Sequence, residues 1–213
     1  MTTRTTRQYR PSDQLCIRLN KLLTRDTRPL RSSPASQVAE YPLTAEEKKH
    51  SQGLMRVDHS GEICAQALYL GQALTAKSPD IKHHLLKAAE EERDHLIWCQ
   101  ERLDELSSHS SHLNPLWYAL SYALGATMGL CGDKISLGFI AATEELVGEH
   151  LQAHLESLST NDKKSVAVLT QMLSDEIQHA EEALEQGGQA FSEETKTLMR
   201  KLAKLMTTTS YHF

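Results

Sequence analysis

Aromatic residues are scarce in this 213-residue chain: 3 Phe, 2 Trp and 6 Tyr amount to 5% of it. Strands draw on aromatic and β-branched residues, and the chain is rich instead in Ala, Leu, Glu, Lys and Gln. That balance favours helices over a β-sandwich or barrel. Cysteine is sparse as well: Cys16, Cys64, Cys99 and Cys131 form no closely spaced pair. A disulfide-stapled miniprotein is therefore excluded. With no signal-peptide pattern, the four read as reduced thiols in a cytosolic compartment. No proline follows Pro115, and glycine is missing from 72–124 and from 149–186. Stretches without breakers are where long helices run. With 39% hydrophobic and 24% charged residues, the chain is long and apolar enough for a real core and is not disordered throughout.

The net charge of -5 hides an asymmetry. Residues 1–35 carry seven Arg and Lys21 against only Asp13 and Asp26, so the rest of the chain is strongly acidic. A basic arm on an acidic body argues against nucleic acid as a partner. We divide the chain into a basic N-terminal arm, 1–40, and one domain, 41–213. Within the arm, Leu15, Leu19, Leu22 and Leu23 share a helical face among Arg18, Lys21 and Arg25. Such a stretch suits a short amphipathic helix on an anionic lipid surface, and equally a solvated tail.

Helix signals organise the domain. Thr44 and Glu47 fit a capping box, opening a helix to about Lys77. Ser78-Pro79-Asp80 is a turn with a new cap, and a second helix reaches about Ser107. After the loop 107–115 comes an uncharged apolar segment, 115–132, broken by Gly132-Asp133-Lys134. Further helices are expected over about 134–159 and 162–186, the second closed by Gly187-Gly188, with a short last helix from near Ser192. Two helical hairpins joined by a crossover make an all-α, ferritin-like four-helix bundle with an apolar crossover segment and a short C-terminal helix.

The chemistry lies in a repeated pattern. Glu92-Arg93-Asp94-His95 and Glu176-Ile177-Gln178-His179 are both Glu-x-x-His on expected helices. Positions i and i+3 share a face, so both side chains reach one metal. One such match is weak, and Glu47-x-x-His50 reads as the chance one. Glu62 precedes Glu92 by 30 residues and Glu144 precedes Glu176 by 32. Each of these earlier Glu lies on the first helix of its own hairpin, at a height similar to its antiparallel partner. All four Glu interrupt apolar stripes that face inward. Four buried carboxylates do not stay ionised alone, whereas two divalent cations neutralise them and two imidazoles complete the shells. Carboxylate-rich ligation with one His per metal suits iron or manganese better than copper or structural zinc. Asp94 and Asp175 adjoin these positions and are candidates to orient a ligating His. A solvated acidic bundle with incidental His is the competing reading.

The segment from Pro115 to Thr143 bears on which kind of metal bundle this is. Its uncharged run is borderline for a bilayer span. The glycines and the Asp133-Lys134 break favour a helix lying in the membrane interface, with Trp117, Tyr118 and Tyr122 at headgroup level. A buried crossover is the alternative. A lipid-facing bundle suits a lipid-soluble substrate better than it suits an iron store.

Five segments carry a family resemblance: "LMRVDHSGEICAQALYLGQ" (54–72), "EEERDHL" (90–96), "NPLWYALSYALGATMGL" (114–130), "AATEELVGEH" (141–150) and "SDEIQHAEEAL" (174–184). Together they resemble the demethoxyubiquinone hydroxylases of ubiquinone biosynthesis, in their bacterial form, over roughly 44–213. The resemblance implies a peripheral membrane di-iron monooxygenase on the cytoplasmic face of the cell membrane. Its substrate would be a 2-polyprenyl-3-methyl-6-methoxy-1,4-benzoquinone or its quinol, hydroxylated on the ring. Two iron ions per chain, O2 as co-substrate, an unidentified electron donor and other ubiquinone-biosynthesis proteins as candidate partners follow from it. Carried over by motif, the catalytic iron ligands are Glu62, Glu92, His95, Glu144, Glu176 and His179. Glu92 and Glu176 bridge, Glu62 and His95 complete one iron, and Glu144 and His179 the other. Family members often have an aromatic residue shortly after the third Glu, where this chain has His150-Leu151. The alternative function is a soluble iron-storing or peroxide-scavenging bundle. A metal-free structural or lipid-binding bundle is the third reading.

Overall fold

A computed structural model describes residues 29–213. The proposed amphipathic stretch around Leu15–Arg25 and Cys16 lie outside the described residues. Six α-helices are present among those described: α1 (Ala45–Thr75), α2 (Pro79–Glu105), α3 (Asn114–Leu130), α4 (Asp133–Ser157), α5 (Lys163–Glu185) and α6 (Glu193–His212). Each boundary falls within a few residues of the signal that announced it. Thr44 accepts from the Glu47 amide while the Glu47 carboxylate accepts from Thr44, closing the capping box of α1. Ser78, Asp162 and Ser192 cap α2, α5 and α6 through their side-chain oxygens. Gly132, at φ 107°, makes the sharp break between α3 and α4, a conformation that costs an L side chain strain.

α1 with α2 and α4 with α5 form two antiparallel hairpins, and α3 is the crossover that joins them. α3 packs closely on α1. A Cβ on Gly125 would run into the Leu68 carbonyl oxygen and lie 2.9 Å from the Leu68 Cα, and one on Gly71 would lie 2.8 Å from the Ala126 amide. The two backbones touch because neither residue has a side chain. This leaves one flank of α3 outward, with Leu116, Leu120 and Leu124 exposed at four-residue spacing. α6 exposes Leu198, Leu202 and Leu205 in the same way. No helix among the described residues is long and apolar enough to cross a membrane.

Residues 30–40 lie along the bundle. The Leu30 and Arg31 amides donate to the Asp94 carboxylate at 2.6 and 3.0 Å. The Arg31 guanidinium stacks 4.8 Å from the Trp98 ring centre and pairs with Asp94 and Asp175. Ala35, in a 3-10 turn over Pro34–Gln37, joins the core. Glu40 pairs with Arg102, whose buried guanidinium also holds Glu105 and Asp162.

Candidate metal centre

Two apolar cores lie at different levels of the bundle. One gathers Met55, Trp98, Leu103, Leu151, Leu169 and Met172, and the other Tyr69, Leu85, Leu137, Ile140 and Ala183. On every bundle helix one glutamate falls between them in sequence: Glu62 between Met55 and Tyr69, Glu92 between Leu85 and Trp98, Glu144 between Ile140 and Leu151, and Glu176 between Met172 and Ala183. The layers exclude water, so charge placed here interacts strongly and must be compensated. Glu62, Glu92, His95, Glu144, Glu176 and His179 are all buried, none more than 7% exposed.

Their donor atoms converge. Nδ1 of His95 lies 3.0 Å from Glu176 Oε1, 3.2 Å from Glu92 Oε2 and 3.5 Å from Glu62 Oε2. Nδ1 of His179 lies 3.0 Å from Glu92 Oε1 and 3.4 Å from Glu176 Oε2. Glu92 and Glu176 therefore each turn one oxygen toward one histidine and the other oxygen toward the second. Glu62 sits on the His95 side. Glu144 accepts a 2.7 Å hydrogen bond from the Tyr69 hydroxyl and feels the charges of Glu176, Glu92 and His179.

Both imidazoles are held from behind. Nε2 of His95 is 2.9 Å from Asp175 and Nε2 of His179 is 3.1 Å from Glu91. The acid just before each Glu-x-x-His thus contacts the histidine of the other hairpin. An outer carboxylate on Nε2 that leaves Nδ1 facing inward is the arrangement seen around metal-bound histidines.

Apart from the hydrogen bond between His95 Nδ1 and Glu92 Oε2, most inward atoms lack one. Glu62 Oε2, Glu92 Oε1, Glu144 Oε2, both Glu176 oxygens and His179 Nδ1 are buried without a hydrogen bond among the described residues. Burial, reinforced by the neighbouring carboxylates, raises the Glu62 and Glu144 carboxyls well above the usual range. Burial alone would raise Glu92 too, but His179 and His95 outweigh it and draw Glu92 down. Burial disfavours the charged form of both histidines, yet the surrounding carboxylates win and raise them. Left to itself, the cluster takes up protons wherever positive charge is wanted. A donor set of four carboxylates and two imidazoles, with orphaned oxygens facing one another, fits divalent cations in place of those protons.

Glu62, Glu92, His95 and Glu176 each bring a donor atom within 4.8 Å of the others, His179 reaches Glu92 and Glu176, and Glu144 lies near enough to feel their charge; Glu47 and His50 are not among them. Glu47 belongs to a helix cap and His50 bonds the Tyr211 hydroxyl. Asp175 contacts a histidine, as envisaged. Asp94 does not: it anchors the backbone of Leu30 and Arg31. Sequence reasoning missed Glu91, Arg31 and the Tyr69 hydroxyl. The acidic residue preceding each Glu-x-x-His was a signal for Glu91, and seven-residue spacing from Glu62 for Tyr69.

Fold and site define a class: a ferritin-like helical bundle with a buried carboxylate–histidine centre suited to metal. The family model described as "Ubiquinone biosynthesis protein COQ7" matches residues 49–210. A 3-demethoxyubiquinol 3-hydroxylase of Pseudomonas syringae pv. syringae (strain B728a) is 50% identical over 211 residues, covering 97% of this chain and 98% of that one. The protein of the same name from Acinetobacter baumannii (strain SDF) is 50% identical over 210 residues, covering 97% and 99%. The chain belongs to the COQ7 ubiquinone biosynthesis family.

Proposed function

We propose that this chain hydroxylates the ring of a demethoxyubiquinol in ubiquinone biosynthesis, at a pair of iron ions held by Glu62, Glu92, His95, Glu144, Glu176 and His179. The convergence of those six buried side chains is the observation that carries the reading. The printed names of the relatives supply the reaction class and substrate. Iron held by these six residues would supply the reduction of dioxygen, in which one oxygen atom would enter the ring and the other leave as water, with two electrons from an external donor and two protons. The chain's own residues place and insulate that chemistry. Glu92 and Glu176 face both halves of the centre. Asp175 and Glu91 fix the ring orientation of His95 and His179. Tyr69, whose phenol burial and Glu144 keep protonated, holds the Glu144 carboxylate by a donated hydrogen bond.

The exposed leucine rows of α3 and α6 support a lipid-facing surface, which would bring a polyprenyl substrate to the bundle. On this reading the protein works at the cytoplasmic face of the cell membrane. An iron store has no use for such rows.

A quinone extract from cells lacking this protein is the direct test. Accumulated demethoxyubiquinone, cleared by restoring the gene, is the expected result, and normal ubiquinone with no such intermediate rejects the function. Asp175→Asn is expected to weaken iron retention about 10- to 100-fold, measured by dialysis against a chelator, because His95 loses the carboxylate behind it.

A further inference from the structure

A second set of metal-ligand side chains lies apart from the six. Asp58 is one turn before Glu62 on α1, and His150 and His154 are one turn apart on α4, six and ten residues beyond Glu144. Nδ1 of His154 lies 2.8 Å from Asp58 Oδ1, and Nε2 of His150 lies 3.9 Å from the same oxygen. One ligand atom from each residue falls within 4.8 Å of the others. Asp58 and His154 are buried, and although the His150 side chain is 34% exposed, its Nε2 is buried with the other ligand atoms.

An ion pair between Asp58 and His154 accounts for only part of this. Both Asp58 oxygens, Nδ1 of His154 and Nε2 of His150 have no hydrogen bond among the described residues. At 2.8 Å the distance between Asp58 and His154 is short enough for one, so it is the N–H direction that misses. A buried carboxylate ordinarily collects donors. Its one close partner is Nδ1 of His154, and beyond that it faces only Nε2 of His150. Two His at i and i+4 on one helix face, with a carboxylate from a neighbouring helix, is a recurrent divalent-metal pattern. Bonds of about 2.0–2.2 Å to a tetrahedral ion set its ligand atoms roughly 3.3–3.6 Å apart, and the two observed distances straddle that spacing.

We propose that Asp58, His150 and His154 form a separate site for a single divalent transition-metal ion of the zinc or cobalt kind. The ion ties α1 to α4 on the Met55–Leu151 side of the six-residue centre. It shares no ligand with that centre and does not depend on the function assigned to it.

Cobalt(II) titration of the metal-stripped full-length protein tests this, read by metal analysis after dialysis and by the visible bands of four-coordinate cobalt. The variant His150→Gln/His154→Gln should bind one equivalent per chain fewer than the unmodified protein and lose those bands. Glu92→Ala/Glu176→Ala should keep both. Equal stoichiometry in the unmodified protein and the double-histidine variant overturns the site. If the double variant does not fold, His150→Gln alone, altered at the solvent edge, should bind the last cobalt at least about tenfold more weakly, and unchanged affinity overturns the proposal equally.

Discussion

Glu176→Ala is expected to abolish ring hydroxylation, with turnover lowered by at least about three orders of magnitude, or roughly 4 kcal/mol of transition-state stabilisation. The size follows from position. Glu176 turns one oxygen toward His95 and the other toward His179, so its loss opens both halves of the centre at once. The fold responds differently. Four carboxylates converge in a buried layer; removing one leaves three to balance two imidazoles in the metal-free protein, and the apolar cores that pack the helices on either side are untouched. Helix content should therefore survive. Thermal unfolding separates the two effects: ferrous iron raises the midpoint of the unmodified protein by mass action on the folded state, and leaves that of Glu176→Ala unmoved. Full turnover in the variant would remove Glu176 from the centre.

The second large effect is expected at Gly125. A side chain there meets the backbone of Leu68, and backbone on one helix moves only if the other helix moves. Gly125→Leu should push α3 off α1, at a cost of about 3 kcal/mol, lowering the unfolding midpoint by roughly 10 °C in a chain of this length. The shift also strains the start of α3, where Asn114 is hydrogen-bonded to Ser60 and His59, close before Glu62. Gly61→Ala is the contrasting control. Nothing lies within 4 Å of its Cβ, and exchanging glycine for alanine inside a helix should raise stability by up to about 1 kcal/mol. Differential scanning calorimetry of the two variants distinguishes backbone contact from a general intolerance of change at glycine.

The centre was legible because it obeys local rules. Glu-x-x-His states its geometry in three residues, and the breakers at Pro79, Gly132 and Gly187 set where each helix turns, which fixes the heights of Glu62 and Glu144. The faces of the helices were read nearly as well. On α5 the buried stripe takes in Val168, Leu169 and Met172, with Leu173 only partly buried beside it, because a helix packed on two partners buries more than one row.

What stayed hidden depends on pairings between distant parts of the chain. Arg31 reaches Asp175 across 144 residues and Asp94 across 63, and no periodicity links them. Asp94 looked like a support for a histidine because it adjoins His95. Neighbours in a helix sequence point about 100° apart, and the side chain faces the 30–40 stretch instead. The crossing of Glu91 to His179 and Asp175 to His95 needs the relative rotation of two hairpins, which spacing within either one does not contain. His150 and His154 share one face of α4, but Asp58 joins them only where α1 meets α4, which spacing along either helix does not contain.

Iron-57 Mössbauer spectroscopy of the protein loaded with iron and oxidised by air tests the central claim most directly. The proposed pair of irons, with Glu92 and Glu176 each turned toward both histidines, would give a spin-coupled diferric signal that accounts for two irons per chain. A spectrum holding only uncoupled, mononuclear ferric iron would contradict it.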